Sequence, residues 1–316
     1  MRKVLIVGAG AVGSLFAARL TAAAVPVLLI GRRDHVAAIG SGGLTVEGID
    51  AGTFRPEAAT TIPAGLAPEA TLLTTKSFDL AAAAGQLAEA VAPVPTGLLG
   101  NGLGIEETAS AALQGGGWPR PELSLVRVVH TVPATLLGPG RVRASGRGEV
   151  VLPEPSMAGQ GAPAVKVLLR LLSAAGFLLR TSRSFEVEIW RKVVVNAAIN
   201  PVTAVHRVPN GALRDGPLRA EAELLLSEAV EVAQRATVAV SLETAGSDFE
   251  RVVEATAANR SSMLQDIERG RPTEIDAISG EVLRRGERLG LRLPATRRAI
   301  HEVQRLASAA SPSAQR

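Results

Sequence analysis

The sequence predicts an α/β Rossmann-type, doubly wound N-terminal domain followed by an all-α C-terminal domain. Three observations predict it. Short β-branched runs alternate with alanine-rich stretches through the first half of the chain. A glycine cluster, Gly8-Ala9-Gly10-Ala11-Val12-Gly13, directly follows the first of those runs. From about Ser184 onward, apolar residues recur at helical spacing almost to the end.

Val4–Val7 reads as a buried strand, Val12–Ala24 as a helix and Val27–Ile30 as a second strand. Asp34 is placed to cap the helix that follows. Ala70–Thr74 and Gly97–Leu99 read as further strands, separated by a helix near Leu80–Val91. That repetition predicts parallel strands with crossover helices. From Ser124 to Leu152 the texture turns to short β-like runs with Gly and Pro, then to a helix at Val165–Ala175 and a last strand at Gly176–Thr181. Glu186–Ile199, Leu218–Val238, Ser247–Asn259 and Glu274–Gly290 read as helices, with stops at Gly211, Gly270 and Gly290. The expected domains are therefore residues 1–183 and 184–316. The Ser/Ala-rich tail Ser308–Arg316 is expected to fray.

Composition narrows the function. With 47% apolar and 20% charged residues, the 316-residue chain is globular and long enough for two cores. It has no cysteine, which excludes disulfides, thiolate metal sites and a cysteine nucleophile. His35, His130, His206 and His301 show no metal-ligand spacing, so no metal is expected. The net charge of +4 is spread along the chain without a basic block. Aromatic residues are few and tyrosine is absent, which argues against nucleic-acid partners. No stretch approaches about 18 apolar residues, so no membrane span is expected. The N-terminal apolar run is too short for a signal peptide, and a cytoplasmic location follows as an expectation.

The glycine cluster is GxGxxG with a strand before it and a helix after it, the context a dinucleotide site requires. Gly8 permits the tight turn, Gly10 lets the backbone approach a pyrophosphate, and Gly13 lets helix and strand pack closely. The N–H groups around Ala11 and Val12 would then face the phosphates at the positive helix end. After the second strand the chain reads Ile30-Gly31-Arg32-Arg33-Asp34. An acidic residue there would bind a ribose 2′-hydroxyl, whereas a guanidinium suits a 2′-phosphate, so NADPH is the expected cofactor with Arg32 the better placed arginine. Lys76 and Asn101 follow two later strands, at ends where open α/β sheets bind ligands. Taken alone, Lys76 reads as a surface residue and the Asn-Gly-x-Gly at Asn101 as a turn.

Lys192, Asn196 and Asn200 recur every four residues in a stretch otherwise filled by valine and alanine. On a helix they share one face, and buried polar groups need polar partners. Pro201 is expected to break or kink that helix at Asn200. A polar stripe between packed helices would explain Asn200 equally well.

Here the chain resembles the ketopantoate reductase family. The stretch IWRKVVVNAAINPVTAVHRVPNGAL is similar to the family's K-x3-N-x3-N-x9-N signature, met by Lys192, Asn196, Asn200 and Asn210. SSMLQDIERGRPTEIDAISGEVLRRGERLGL is similar to its second signature, which supplies Ser262 and Glu274. GAGAVG, Arg32, Lys76 and Asn101 match the cofactor half. The resemblance implies a Rossmann domain, a helical domain and an active site in the cleft between them. It implies Lys192 as general acid and Glu274 as the group binding a substrate hydroxyl. Asn196, Asn200, Asn210 and Ser262 would hold the substrate, Asn101 would contact cofactor and substrate, and Arg32 and Lys76 would lie around the adenosine phosphate. The implied reaction is reduction of ketopantoate to pantoate by NADPH, on the way to pantothenate and coenzyme A.

An alkoxide left by hydride addition needs a proton or a cation, and an ammonium supplies both. Amides and a hydroxyl can bind a carboxylate without desolvating a further charge. Glu274 also fits helix-dipole complementation, with Thr273 as N-cap and Asp276 three residues on. A β-hydroxyacid dehydrogenase or a reductase of another branched 2-oxo acid is the alternative of the same class. An NADPH-sensing protein without activity is the alternative of another class. The expected partner is a small 2-oxo acid, and the apolar C-terminal helices would serve equally as core or as the surface of a homodimer. Gly100, the Gly/Pro-rich segment 112–124 and His206 depart from the family pattern.

Overall fold

A computed structural model describes residues 2–310. The chain forms two compact units. One takes the chain up to Gly100 together with Ile105–Phe185; the other takes Asn101–Gly104 and the chain from Glu186.

The first unit runs β1 (Val4–Val7), α1 (Ala11–Ala22), β2 (Val27–Ile30), α2 (Arg33–Gly42), β3 (Leu44–Gly48), β4 (Gly52–Phe54), β5 (Glu57–Ala59) and β6 (Ala70–Leu73). It continues through α3 (Leu80–Ala90), β7 (Thr96–Leu98), α4 (Ile105–Gly115), β8 (Leu125–Arg127), β9 (Val129–His130) and β10 (Ala134–Gly138). β11 (Arg141–Ala144), β12 (Val150–Pro153), α5 (Ala162–Ala174) and β13 (Leu179–Ser182) complete it. The main sheet is parallel throughout in the order β5-β2-β1-β6-β7-β8. The order reverses between β1 and β6, the switch point at which such sheets bind ligands.

The central strands β1, β2 and β6 are buried at every residue, as parallel strands covered on both faces must be. Their side chains alternate between two cores. Val4, Ile6, Val27, Leu29 and Leu72 pack with residues of α1 and α5. Leu5, Val7, Leu28, Ile30 and Leu73 pack with residues of α3 and α4. Two small sheets, β10-β11-β3-β4 and β13-β12-β9, complete the unit. Of these strands, β4 spans three residues and β9 two, too short to show a period in sequence. The Gly/Pro-rich segment 112–124 ends α4 and closes the helical layer. Gly116 lies where a Cβ would sit 2.6 Å from that of Ala88, and the buried Trp118 donates its indole N–H to the Val91 carbonyl at 2.8 Å.

The second unit contains α6 (Phe185–His206), α7 (Gly216–Arg235), α8 (Leu242–Ala255), α9 (Ser262–Glu268), a π-helical turn at Asp276–Gly280, α10 (Glu281–Arg288) and α11 (Pro294–Ala310). Several expectations are corrected here. α6 does not end at Asn200; it runs through Pro201 to His206. The proline removes the bond to the Ala197 carbonyl. Ala197, Ala198, Ile199, Val202 and Ala204, on either side of the proline, are buried in the core of the unit, and that burial holds the helix together all the same. Gly211 lies within a 3-10 turn, Asn210–Leu213, and is not a stop. Asp34 does not cap α2, because the N-cap position is Arg32 and Asp34 lies within the first turn. Thr273 is no N-cap either. Its hydroxyl lies 3.4 Å from the Ile275 N–H, while the π-helical turn has Ile275 at its N-cap position. The end of the Ser308–Arg316 tail lies outside the described residues.

Asp248 on α8 fastens α8 to α6. Its carboxylate accepts from Arg191 Nε and a terminal nitrogen of the same guanidinium at 2.7 and 2.8 Å, and Arg251 adds a further bond. Burial opposes the charge on Asp248, yet the two arginines win and hold its carboxyl below the usual range. The carboxylate therefore contributes stability above the unfolded-state pKa of about 3.9, and that contribution is lost as pH falls through the lower folded value. Asp248→Asn is expected to lower unfolding free energy by about 1–3 kcal/mol at neutral pH. The difference from the unchanged protein should shrink toward pH 3, as denaturant melts at the two pH values would read directly.

Candidate active site

The glycine loop is built by contact. The N–H groups of Gly8 and Ala9 both donate to the Ile30 carbonyl, at 3.0 and 2.9 Å. Thr74 Oγ1 donates to the Gly8 carbonyl at 2.7 Å. Gly8 has φ +115°, and a Cβ there would sit 2.7 Å from the Thr75 nitrogen. A Cβ on Gly13 would sit 2.0 Å from the Gly8 oxygen, so this residue brings α1 against the loop. Gly10 differs, because a Cβ there would meet nothing within 4 Å.

That open space lies at the N-terminus of α1, where Gly10 is the cap without a side-chain bond and no acidic residue occupies the first turn. The first helical N–H bond is Ser14 to the Gly10 carbonyl, so the N–H groups of Ala11, Val12 and Gly13 have no partner within the helix. A dinucleotide pyrophosphate fits such a site on charge and space. Thr75 Oγ1, at the end of β6, is buried with no hydrogen-bond partner. It is a polar atom that sequence reading passed over, visible only once β6 lies beside the loop. Gly31 packs on Ala9, where a Cβ would come within 2.4 Å of the alanine's. The next residue, Arg32, is therefore at the loop's edge with its side chain exposed. Lys76 is half-buried and begins the turn after β6.

In the second unit, α6 is continuous across Lys192, Asn196 and Asn200, so their four-residue spacing does place them on one helical face. Lys192 and Asn196 are half-buried and Asn200 is buried. One turn later, Thr203 Oγ1 lies 2.8 Å from both the Ile199 carbonyl and Ser261 Oγ. Ser261 caps α9 by accepting from the Leu264 N–H at 3.1 Å. Ser262, the residue after this link, is exposed at the start of α9. The Thr203–Ser261 link has no sequence signature.

Asn101 Nδ2 donates to Glu274 Oε2 at 3.0 Å, which joins two residues that are far apart in sequence. The strand of chain behind Asn101 is fitted closely. Leu103 N–H donates to the Ala277 carbonyl at 2.9 Å, and Gly102, at φ +93°, leaves no room for a Cβ, which would meet that oxygen at 2.2 Å. The π-helical turn forms this seat; such turns recur at functional sites. Glu274 is only 4% exposed. Asn210 has a bracing role: its Nδ2 donates to Thr256 Oγ1 at 2.8 Å and its N–H to the Asn259 carbonyl at 2.9 Å, while its Oδ1 is buried with no partner. His206 closes α6, with its Nε2 2.9 Å from Glu221 Oε2. Among the described residues no group of three acidic or histidine side chains could hold a metal, and no helix is long and apolar enough to cross a membrane.

Residues 4–156 match the family described as Ketopantoate reductase PanE/ApbA, and residues 184–307 match its C-terminal counterpart. A 2-dehydropantoate 2-reductase from Archaeoglobus fulgidus is 33% identical, over 96% of this chain and 97% of its own. The chain belongs to the ketopantoate reductase family. The Pyrococcus horikoshii 2-dehydropantoate 2-reductase is 34% identical over 92% of this chain and 93% of its own. Among solved structures, a ketopantoate reductase from Ralstonia eutropha superposes with a TM-score of 0.84 at 29% identity, covering 98% of this chain and 99% of that one. A D-mandelate dehydrogenase bound to NADH and anilino(oxo)acetate reaches a TM-score of 0.89 at 25% identity, with the same coverage. The family places this chain among the oxidoreductases that act on a CH–OH group.

Proposed function

We propose that the chain reduces ketopantoate to pantoate with NADPH, in the cytoplasm, on the way to pantothenate and coenzyme A. In this reading residues 1–183 bind the cofactor and residues 184–316 carry the substrate and catalytic groups. Gly8, Gly10, Ala11, Val12 and Gly13 would cradle the pyrophosphate, with Arg32 and Lys76 at the adenosine phosphate. The cofactor, when bound, supplies the hydride. Lys192 Nζ holds the proton that the developing alkoxide oxygen takes up, and its charge stabilises that oxygen beforehand. Asn196, Asn200 and Ser262 offer neutral polar groups to the substrate, whose carboxylate accepts from amide N–H and hydroxyl groups, while Asn210 lines the site with its unpartnered Oδ1, an acceptor.

The Asn101–Glu274 hydrogen bond is the observation that carries the reading. A buried carboxylate, oriented by an amide, suits a substrate that brings its own hydroxyl donor, and ketopantoate carries one at C4. A 2-oxo acid without that hydroxyl makes no such bond. Glu274→Gln is therefore expected to raise KM for ketopantoate by about tenfold to a hundredfold, the loss of one hydrogen bond to a charged group. KM for 2-oxoisovalerate, which lacks the hydroxyl, should move less than about twofold. Steady-state kinetics on both acids test this, and equal changes in the two would sink the assignment of Glu274.

The likeness to D-mandelate dehydrogenase favours one second reading: a reductase of a bulkier 2-oxo acid, with the same proton donor. Preference for phenylglyoxylate over ketopantoate would replace the first reading with it.

A further inference from the structure

His35 lies in the first turn of α2, three residues after Arg32, and is 6% exposed. Both ring nitrogens are engaged. The Gly140 N–H donates to Nδ1 at 3.1 Å, and Nε2 lies 3.0 Å from Ser14 Oγ. A nitrogen that accepts from a backbone N–H carries no proton, so the ring's hydrogen is on Nε2 and points at Ser14. Burial, and after it the Arg32 charge, hold the ring's pKa below its ordinary value, and the positive end of α2 acts in the same direction.

One neutral side chain thus joins three segments. Ser14 directly follows Gly13 and is fully buried. Gly140, between β10 and β11, has φ +68° and lies where a Cβ would be 3.0 Å from that of Ala38 on α2. Arg32 itself is exposed, so the path of its backbone decides where its guanidinium can reach.

We propose that His35 is a positioning residue for cofactor choice: by bridging Ser14 and Gly140 it fixes the Arg32 turn against the glycine loop. The guanidinium and the loop can then engage the 2′-phosphate and the pyrophosphate of one dinucleotide together. This rests on the reading of Arg32 as the 2′-phosphate ligand. NADH has no 2′-phosphate, so the bridge matters little to it.

The experiment measures Kd for NADPH and for NADH, by nucleotide fluorescence, on the unchanged full chain and on Arg32→Ala, His35→Phe, Ser14→Ala and the Arg32→Ala/His35→Phe pair. His35→Phe keeps the ring and removes both bonds. Ser14→Ala removes one bond without opening the core, and serves if His35→Phe fails to fold. Arg32→Ala and His35→Phe are each expected to weaken NADPH about tenfold or more while NADH changes less than about twofold, and the pair should be no weaker than Arg32→Ala alone. Ser14→Ala should move the ratio the same way by a smaller factor. Parallel loss of both nucleotides in His35→Phe and Ser14→Ala, with Arg32→Ala still selective, would leave His35 as a brace only and overturn the proposal. An unchanged ratio in Arg32→Ala would instead remove the 2′-phosphate reading itself, and the proposal with it.

Discussion

Replacing Lys192 with alanine is expected to lower kcat by about a hundredfold to ten-thousandfold while the Kd for the cofactor stays within about twofold. In the proposed mechanism Lys192 is a positioned acid whose charge also meets the growing oxyanion, and that role sets the size. The split between the two constants follows from structure. Lys192 belongs to α6, whereas the glycine loop, Thr75 and Arg32 belong to the other unit. Lys192→Arg keeps a cation but is a far weaker acid and a longer fork, so only part of kcat should return. Thermal melts check that α6 survives. Lys192 is half-buried and lies outside the apolar core of its unit, so Tm should move only a few degrees. A variant that keeps its full rate would remove Lys192 from the chemistry.

The second large effect separates two glycines that look alike in sequence. Gly13→Ala places a Cβ 2.0 Å from the Gly8 carbonyl oxygen and 2.5 Å from Thr74 Oγ1. Neither neighbour can yield freely, because the first is backbone and the second donates to that same carbonyl. The loop must move away from α1, with a loss of about 1–3 kcal/mol of stability and at least tenfold in cofactor affinity. Gly10→Ala, by contrast, meets nothing within 4 Å, and its φ of −77° suits any residue. Its stability should be unchanged within about 0.5 kcal/mol. Cofactor affinity should still fall, because the new methyl occupies the space over the helix N-terminus. Denaturant melts paired with nucleotide titrations give both quantities. If Gly10→Ala bound the cofactor as tightly as the unchanged chain, the pyrophosphate would have to lie elsewhere.

Sequence and structure agree most closely where a single physical constraint acts at short range. The runs at Val4–Val7 and Val27–Ile30 are buried on both faces, so they consist of β-branched and leucine residues alone, and their bounds are legible to the residue. GxGxxG is legible for the same reason: Gly8 and Gly13 each answer one close approach, and Gly10 leaves open space at the helix N-terminus. The break expected at Pro201 does not occur: local propensity opposes a helix there, while burial of the α6 residues on either side of the proline overrides it. The strands at Gly52–Phe54 and Glu57–Ala59 were invisible, since three residues define no period. In the candidate site, the spacing of Lys192, Asn196 and Asn200 was readable because it lies within one helix. The Asn101–Glu274 bond and the Ser14–His35–Gly140 bridge were not. Each joins segments separated along the chain, and only the fold brings them together.

The most direct test of the central claim is the rate of NADPH consumption by the purified chain, with ketopantoate and phenylglyoxylate each offered alone over a range of concentrations. The account predicts that kcat/KM for ketopantoate exceeds that for phenylglyoxylate by at least about a hundredfold, the value of a buried hydroxyl–carboxylate contact together with a pocket of the right size. A higher kcat/KM for phenylglyoxylate, or no NADPH consumption with either acid, would contradict it.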